Sequence, residues 1–540
     1  MQTLICTERR KTMIKNQIKE GKVSIGIEFG STRIKAILVG EELKAIASGS
    51  YDWQNTLDNG IWTYSLDDIH KGLQTCFANL MSDVKAKYDV ELTTVASIGF
   101  SAMMHGYLAF DEEDKLLVPF RTWRNTMTEE ASDKLSECFG FNIPQRWSIA
   151  HLYQAILNKE EHVSRISFFT TLAGYVHWLL TGEKNIGVGD ASGMFPIDPS
   201  TGSYNKEMLD KFAVLTEGTA FRASLSDILP AIIPVGECAG KLTEKGALIL
   251  DPTGTFKAGV PFCPAEGDAQ TGMVATNSIA PRTGNVSAGT SIFAMAVLER
   301  DLSKLYRQID IVTTPCADPV AMVHRNNCTT DLDSWVRLFG ELLKNCGCEI
   351  SKGELYDKLY AMALDGDADC SGIISFNYHS GEHVTGFTSG RPMLMRSPES
   401  AFNVANVMRS LIYSCMATLK IGMDILLGEE KINLDKIYAH GGLFKSPVTG
   451  QRFLASALGV PVTLMDSASE GGAWGIALLA AYQARADRSE SLADYLNSRV
   501  FAGMTGSSMS PDEKDAEGFR KYMEQYSAAL AVEEAAVRVL

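Results

Sequence analysis

Apolar and polar residues alternate twice around a glycine-and-hydroxyl turn, in residues 24–39 (SIGIEFGSTRIKAILV) and 284–297 (GNVSAGTSIFAMAV). A period of two on either side of Gly30-Ser31-Thr32 and of Gly289-Thr290-Ser291 predicts two β-hairpins, hence two related halves. After the first hairpin the period lengthens. Ser65-Leu-Asp-Asp68 opens a helix in the manner of a capping box, and Ile69, Leu73, Phe77, Leu80 and Val84 recur at helical spacing on its core face. VASIGF (95–100) reads as a buried strand that delivers Ser101–Gly106 at its C-terminal end, where open α/β sheets place their ligands. The middle, about 107–260, mixes helical runs with turns. Thr330-Asp-Leu-Asp333 opens a helix with Leu332, Trp335, Leu338, Phe339 and Leu342 expected on one face, and 401–426 is a second, long apolar helix. These elements predict a flexible extension over 1–22, an N-terminal domain over 23–278 and a C-terminal domain over 279–540, whose tail beyond 484 forms surface helices.

A chain of 540 residues exceeds what one hydrophobic core supports, so two domains are also expected on size. No run of 18 consecutive apolar residues offers a bilayer span, and the net charge of −15 argues against a broad nucleic-acid surface. Eleven scattered cysteines, an odd number, fit free thiols in a reducing cytoplasm. Cys346 and Cys348 lack the second pair that a zinc site needs. The first residues carry Arg9, Arg10, Lys11, Lys15 and Lys19 without an apolar core for secretion, and Met13 is an alternative start to Met1.

Glycine lets backbone approach an oxyanion while neighbouring N–H and hydroxyl groups donate to it, so each hairpin turn is a candidate phosphate cradle. Glu28 ahead of the first turn can hold a hydrated Mg2+, and Lys35 behind it can neutralise phosphate charge. The same two residues also read as an exposed pair on a hairpin. HGGLFKSP (440–447) brings Gly441 and Gly442 into what reads as a helix start, with Ser446 as N-cap and Pro447 at the first position, a second place for phosphate or a flat base. Glu470-Gly-Gly-Ala-Trp-Gly475 reads as a further glycine-rich helix start, for packing or for ligand. Asp268, in PAEGDAQTG, can accept a proton from a hydroxyl that attacks a γ-phosphate, although from the residues alone a turn or N-cap aspartate reads as well. His105, Trp123 and Arg124 add an imidazole, an aromatic face and a cation near the first half's strand end. Neither a Gly-x4-Gly-Lys-Ser/Thr loop nor a Gly-x-Gly-x-x-Gly turn after a strand occurs.

In order and spacing these segments resemble the FGGY family of carbohydrate kinases, and most closely its xylulokinase-like, pentulose kinase branch, from about residue 22 to 485. Glu28, Gly30, Ser31 and Lys35 are similar to the first phosphate motif, Ser101–Gly106 to the substrate loop, Trp123-Arg-Asn125 to the aromatic segment and Asp190-Ala-Ser-Gly193 to an Asp-x-Ser-Gly stretch. Gly267-Asp268 matches the catalytic pair, Gly289–Ser291 the second phosphate motif, and Gly441, Gly442, Ser446 and Glu470-Gly-Gly-Ala the adenosine region. The resemblance implies an α/β, two-domain actin-like, ribonuclease-H-like ATPase fold with its active site in the interdomain cleft. It implies ATP and Mg2+ as cofactors, a small sugar as partner with no nucleic acid or membrane, and leaves a homodimer open. The implied activity is phosphorylation of a terminal hydroxyl of a ketopentose. Asp268 is the expected base, Met104, His105, Trp123, Arg124, Asp268 and Gln270 the sugar contacts, and Glu28 with Asp268 the metal ligands. Gly30, Ser31, Thr32, Lys35, Gly289, Thr290, Ser291, Gly441, Gly442 and Ser446 are the expected ATP contacts. Three positions depart from the family: Glu28 for Asp, Ala269 after the catalytic Asp, and Asn125 for Asp. A catalytically impaired sugar and nucleotide sensor, and an actin- or chaperone-like ATPase, are the alternatives.

Overall fold

The computed structural model describes residues 2–446, 448–465, 471–504 and 506–539 and divides into two compact units. Unit 1 comprises Met1–Ile279, Ile311–Pro319 and Glu470–Gly503, and unit 2 comprises Ala280–Asp310, Val320–Ser469 and Met504–Leu540. The first crossing falls beside the expected boundary. The expected C-terminal domain, however, gives two segments to unit 1, because a core can recruit any apolar stretch the chain returns to it.

Unit 1 begins with α1 (Gln2–Lys19), β1 (Ser24–Phe29), β2 (Arg33–Val39), β3 (Ala45–Asp52), α2 (Leu66–Tyr88) and β4 (Ser97–Ala102), and later adds β5 (Pro261–Phe262) and α3 (Asp268–Ala275). Their sheet runs β5-β4-β1-β2-β3. β1, β2 and β3 pair antiparallel, whereas β4 and β5 run parallel to their neighbours. A parallel return needs a crossover, and α2 supplies it. Ser65 Oγ accepts the Asp68 N–H at 3.0 Å to cap α2, and Ile69, Leu73, Phe77, Leu80 and Val84 are all buried. On β1 packs the helix Gly471–Gln483, apolar on every side and buried along most of its length. It comes so close that a Cβ on Gly26 would overlap Ala473 O and Ala477 N.

Most of the stretch read as an extension is helical. Residues 2–19 are α1, with Ile14 and Ile18 in the unit 1 core and Gln17 Nε2 donating to Glu41 at 3.0 Å. Two isoleucines one turn apart form a docking stripe that the basic residues around them mask in a reading of the sequence.

Unit 2 repeats the same connectivity. β6 (Thr283–Ala288), β7 (Ile292–Val297) and β8 (Pro319–Arg325) form the antiparallel part. Next come α4 (Thr329–Asn345), α5 (Lys352–Leu364) and α6 (Val404–Asp424). They are followed by β9 (Lys436–His440), α7 (Thr449–Leu458), β10 (Val462–Met465), β11 (Gly506–Met509) and α8 (Glu513–Val539). The order is β8-β7-β6-β9-β10-β11, with β6, β9 and β10 parallel. On α4 only part of the expected face is buried: Leu332 and Val336 enter the core, while Leu338 and Leu342 are 53% and 61% exposed. Leu338 lies about 1.7 turns from Leu332, which rotates it off the buried stripe. The tail is likewise more than surface. β11 pairs antiparallel with β10, and Phe519, Tyr522 and Tyr526 of α8 are fully buried.

Among the described residues one helix, Val404–Glu429, is long and apolar enough to cross a bilayer by length and composition, and most of it is buried in this fold. It carries a buried ion pair. Arg409 donates to Asp515, to Tyr413 Oη and to Gly366 O, and Arg452 Nε reaches the same aspartate at 2.6 Å. Removing the shared carboxylate strands a buried guanidinium, so Asp515→Ala is expected to lose about 3–5 kcal/mol in urea unfolding. A loss below about 1 kcal/mol would show the pair to be dispensable.

Candidate functional site

In unit 1 the short strand Glu266–Gly267 pairs in parallel with Ser101–Ala102, the end of β4. This register sets Asp268, the first residue of α3, beside the bend that follows β4. The bend uses two consecutive left-handed residues, His105 at φ +68° and Gly106 at φ +95°. Such a conformation in a non-glycine residue is strained and is held only where the surroundings dictate it. Asp268 Oδ1 accepts the Met104 N–H at 3.2 Å. Burial pushes the Asp268 carboxyl up to about 6, against the backbone N–H groups of Met104 and Ala269 that favour the anion. His105 Nδ1 lies 3.0 Å from Gly193 O, and because a carbonyl only accepts, Nδ1 carries the hydrogen. Trp147 stacks on the imidazole at 6.0 Å, and Met104 and His105 are both nearly buried.

Glu28 occupies the penultimate position of β1, directly across from Lys35 on β2. Its Oε2 accepts the Ala473 N–H at 3.2 Å, and a Cβ on Gly472 would overlap Oε1. The longer glutamate side chain thus reaches the start of the helix Gly471–Gln483, whose N-terminal N–H groups favour an anion. Burial, then the neighbouring Asp268 charge, pushes Glu28 up to about 7. Two repelling carboxylates, each raised, with Lys35 as a partly compensating cation, are a donor set that fits a hydrated Mg2+ shared with phosphate oxygens. Among the described residues no three histidine, cysteine or carboxylate side chains form a ready-made metal centre. The first turn closes by Gly30 N–H donating to Arg33 O at 3.0 Å. Trp53 and Tyr64 hold the carbonyls of Gly30, Ser31 and Thr32 from behind, leaving the Ser31 and Thr32 side chains exposed.

The other expected sugar contacts divide. Gln270 is fully buried, and its Nε2 donates to Thr313 O at 2.9 Å, which ties it to the Ile311–Pro319 segment, while its Oε1 is buried without a hydrogen-bond partner. Its place on α3, two residues after Asp268, turns it about 200° away from that side chain. Trp123 is exposed, while the Arg124 guanidinium lies 4.0 Å over Trp62 and donates to Asn55 Oδ1 at 3.0 Å. Asn125 is buried, accepting from Trp62 N–H and donating to Trp62 O and Thr122 O, which makes it a loop brace.

In unit 2, Gly289 N–H donates to Ser291 O at 2.9 Å to close the second turn. The start of α4 seats on this turn, with Cys328 N–H donating to Thr290 O and Thr329 N–H to Gly289 O. Gly441 crosses the end of β6 at φ +110°, where a Cβ would overlap Ala288 O, whereas Gly442 would clear the same atom at 3.9 Å. Ser446 is no N-cap. The next helix begins at Thr449 behind Val448 at φ +72°, and the Ser446 hydroxyl donates to Asp357 on α5 at 2.7 Å. Pro447 and Glu470 lie outside the described residues. Gly472 and Gly475 are spent on packing against Glu28 and Thr271 in unit 1 rather than extending the Gly441 loop. Leading away from the second turn, α4 and α5 border a groove of about 840 Å³ lined by Val336, Arg337, Gly340, Lys344, Ser351 and Leu355 among others.

The duplicated sheet, each half carrying a glycine-and-hydroxyl turn, is that of the two-domain actin-like, ribonuclease-H-like fold. Models of the N- and C-terminal domains of the FGGY family of carbohydrate kinases match residues 23–275 and 284–484, and the chain belongs to that family. The xylulose kinase of Haemophilus influenzae is 22% identical over 464 residues, 83% of this chain and 89% of its own. The structure of ligand-bound xylulose kinase from Lactobacillus acidophilus is similar at TM-score 0.78 and 17% identity, over 95% of this chain and 99% of that one. A gluconate kinase from Lactobacillus acidophilus is similar at TM-score 0.76 and 17% identity, over 95% and 98%. The fold is therefore common to relatives whose names carry different acceptors.

Two features escape a reading of the sequence. Glu266, two residues before Asp268, is fully buried and pushed up to about 8 by burial and by the charge of Asp190, itself raised to about 7. Trp147, under His105, lies 42 residues from it in sequence. The acid inside the otherwise small, apolar PAEG run was the one available signal for the first. Nothing local signals the second.

Proposed function

We propose that this chain transfers the γ-phosphate of ATP to a terminal hydroxyl of a ketopentose or a similar open-chain sugar. The observation that carries the reading is Asp268, half-buried at a helix start and pinned by Met104 N–H beside the strained His105 bend. In the carboxylate form it accepts the proton of the sugar hydroxyl as that oxygen bonds to the γ-phosphorus and the bond to ADP breaks. Met104 and His105 orient the acceptor. In unit 1 Gly30–Thr32 with Lys35, and in unit 2 Gly289–Ser291 with Gly441 and Gly442, each offer a phosphate cradle, and the groove along α4 is of a size to take the nucleoside. Glu28 and Asp268 would hold Mg2+, which supplies charge neutralisation on the phosphates. A sensor that binds sugar and nucleotide without transfer is a second reading, favoured by the engagement of Glu28 with Ala473.

The test is ADP release against D-xylulose, D-ribulose, glycerol and gluconate, with stimulation expected from a ketopentose. Because both raised carboxyls must lose protons to act, kcat/KM for the acceptor should rise with pH through about 6 to 7 and level above it. A rate independent of pH across that range would remove Asp268 from the role of base.

A further inference from the structure

Glu266 has no part in the reaction just described, yet residues 187–190 close around its side chain. Its Oε2 accepts the Asp190 N–H at 2.9 Å, and the Gly189 N–H also stabilises the carboxylate. A Cβ on Gly187 or on Gly189 would overlap the carboxyl, and one on Gly189 would also overlap Gln270 Cγ, so residues 187–190 form a backbone nest that closes on the Glu266 Oε2 side while Oε1 has no hydrogen-bond partner. The nest opens the turn that ends at Gly193. Gly193 N–H donates to Asp190 O at 3.0 Å, Ser192 Oγ to Gly189 O at 2.6 Å, and Thr171 Oγ1 to Asp190 Oδ2 at 2.6 Å. Gly193 O then receives His105 Nδ1, and a Cβ at Gly193 would sit 2.8 Å from that nitrogen and 2.9 Å from Met104 Cε. Met104 N–H returns to Asp268. The links close a ring: Glu266 to Asp190, Asp190 to Gly193, Gly193 to His105, Met104 to Asp268, and two residues of backbone from Asp268 to Glu266. A second strut, Gln270 to Thr313 O and Thr313 N–H to Ser192 Oγ at 3.0 Å, ties α3 to the same turn.

We propose that Glu266 is a positioning residue that fixes the separation of His105 from Asp268 and thereby the acceptor-sugar geometry of the kinase. The proposal rests on the sugar kinase reading for its functional consequence, and on hydrogen bonds and steric fit for its structural one. A displacement of the order of 1 Å at a bound reactant is enough to cost orders of magnitude in rate, so the nest has a measurable effect without touching substrate. Gln keeps an acceptor oxygen at the same reach. Asp withdraws it by one C–C bond, and Ala removes it.

The wild-type chain, E266Q, E266D and E266A are compared in two ways: by acceptor and ATP kinetics with D-xylulose as probe, and by the His105 ring signal in protein labelled with 15N-histidine, assigned by loss in H105N. The expected result is an acceptor KM raised about tenfold or more in E266D and E266A, with the ATP KM within about threefold, and E266Q close to wild type. The Nδ1–H signal of His105 should shift in E266D and E266A and stay in place in E266Q. Should E266A fail to fold, E266D carries the same comparison. An unshifted His105 signal in E266D, or equal changes of both KM values, overturns the positioning role. A wild type that phosphorylates no sugar overturns the kinase reading instead, while the His105 signal still decides whether Glu266 sets the ring.

Discussion

Asp268→Asn should lower kcat for the acceptor by about 10²–10⁴-fold while leaving ATP affinity within a few-fold of wild type. Asn retains the oxygen that accepts Met104 N–H, so the bend at His105 stays in place. What it cannot do is take a proton. The substitution also removes a half-buried carboxylate that burial raises to about 6 and that in turn raises Glu28. An acid whose folded value lies above its unfolded one costs stability as pH rises through that interval, so at pH 8 the variant should melt no lower than wild type. Loss of activity without loss of stability is the signature that separates a base from a structural residue. A variant keeping more than a tenth of wild-type kcat would assign the base elsewhere.

Gly441→Ala should abolish nucleotide binding at concentrations that saturate wild type, and Gly442→Ala should not. Gly441 combines φ +110° with ψ −176°, a region open to glycine alone, and its Cβ would overlap Ala288 O at the end of β6. Relief requires the loop to leave β6, whose next three residues are the second turn, Gly289–Ser291. At Gly442 the same added methyl stands 3.9 Å from Ala288 O, an ordinary contact. Titration calorimetry with ATP reads the difference, which should reach about 100-fold or more for the first variant. Equal affinities in the two variants would mean that the loop takes no part in holding phosphate.

The hairpins, α2, the buried strand before Ser101 and the long helix Val404–Asp424 were legible in the sequence because each buries a stripe set by its own period. The placement of Gly267-Asp268 at a strand end and helix start was legible for a different reason. A small residue before an acid after an apolar strand is a local pattern, and its order among the other motifs made it specific. What stayed hidden depends on long-range contacts. Ile14 and Ile18 dock α1 on a surface made by later residues, and the Gly471–Gln483 helix returns to β1 across more than 440 positions. Asn125 looks like a ligand residue by composition, yet Trp62 and Thr122 engage its amide, and the Gln270 Nε2 is held by Thr313 O. Ser446-Pro447 has the chemistry of a helix start, but the hydroxyl finds Asp357 first and the helix waits until Thr449.

The proposed step passes phosphate from ATP to a sugar hydroxyl with Asp268 as base. Incubation of wild type and Asp268→Asn with ATP labelled at the γ-phosphate and D-xylulose or D-ribulose, followed by separation of sugar phosphate from inorganic phosphate, tests it most directly. The expected result is label on a ketose phosphate in wild type and almost none with Asp268→Asn. Label released only as inorganic phosphate, or carried to sugar equally by both proteins, would contradict it.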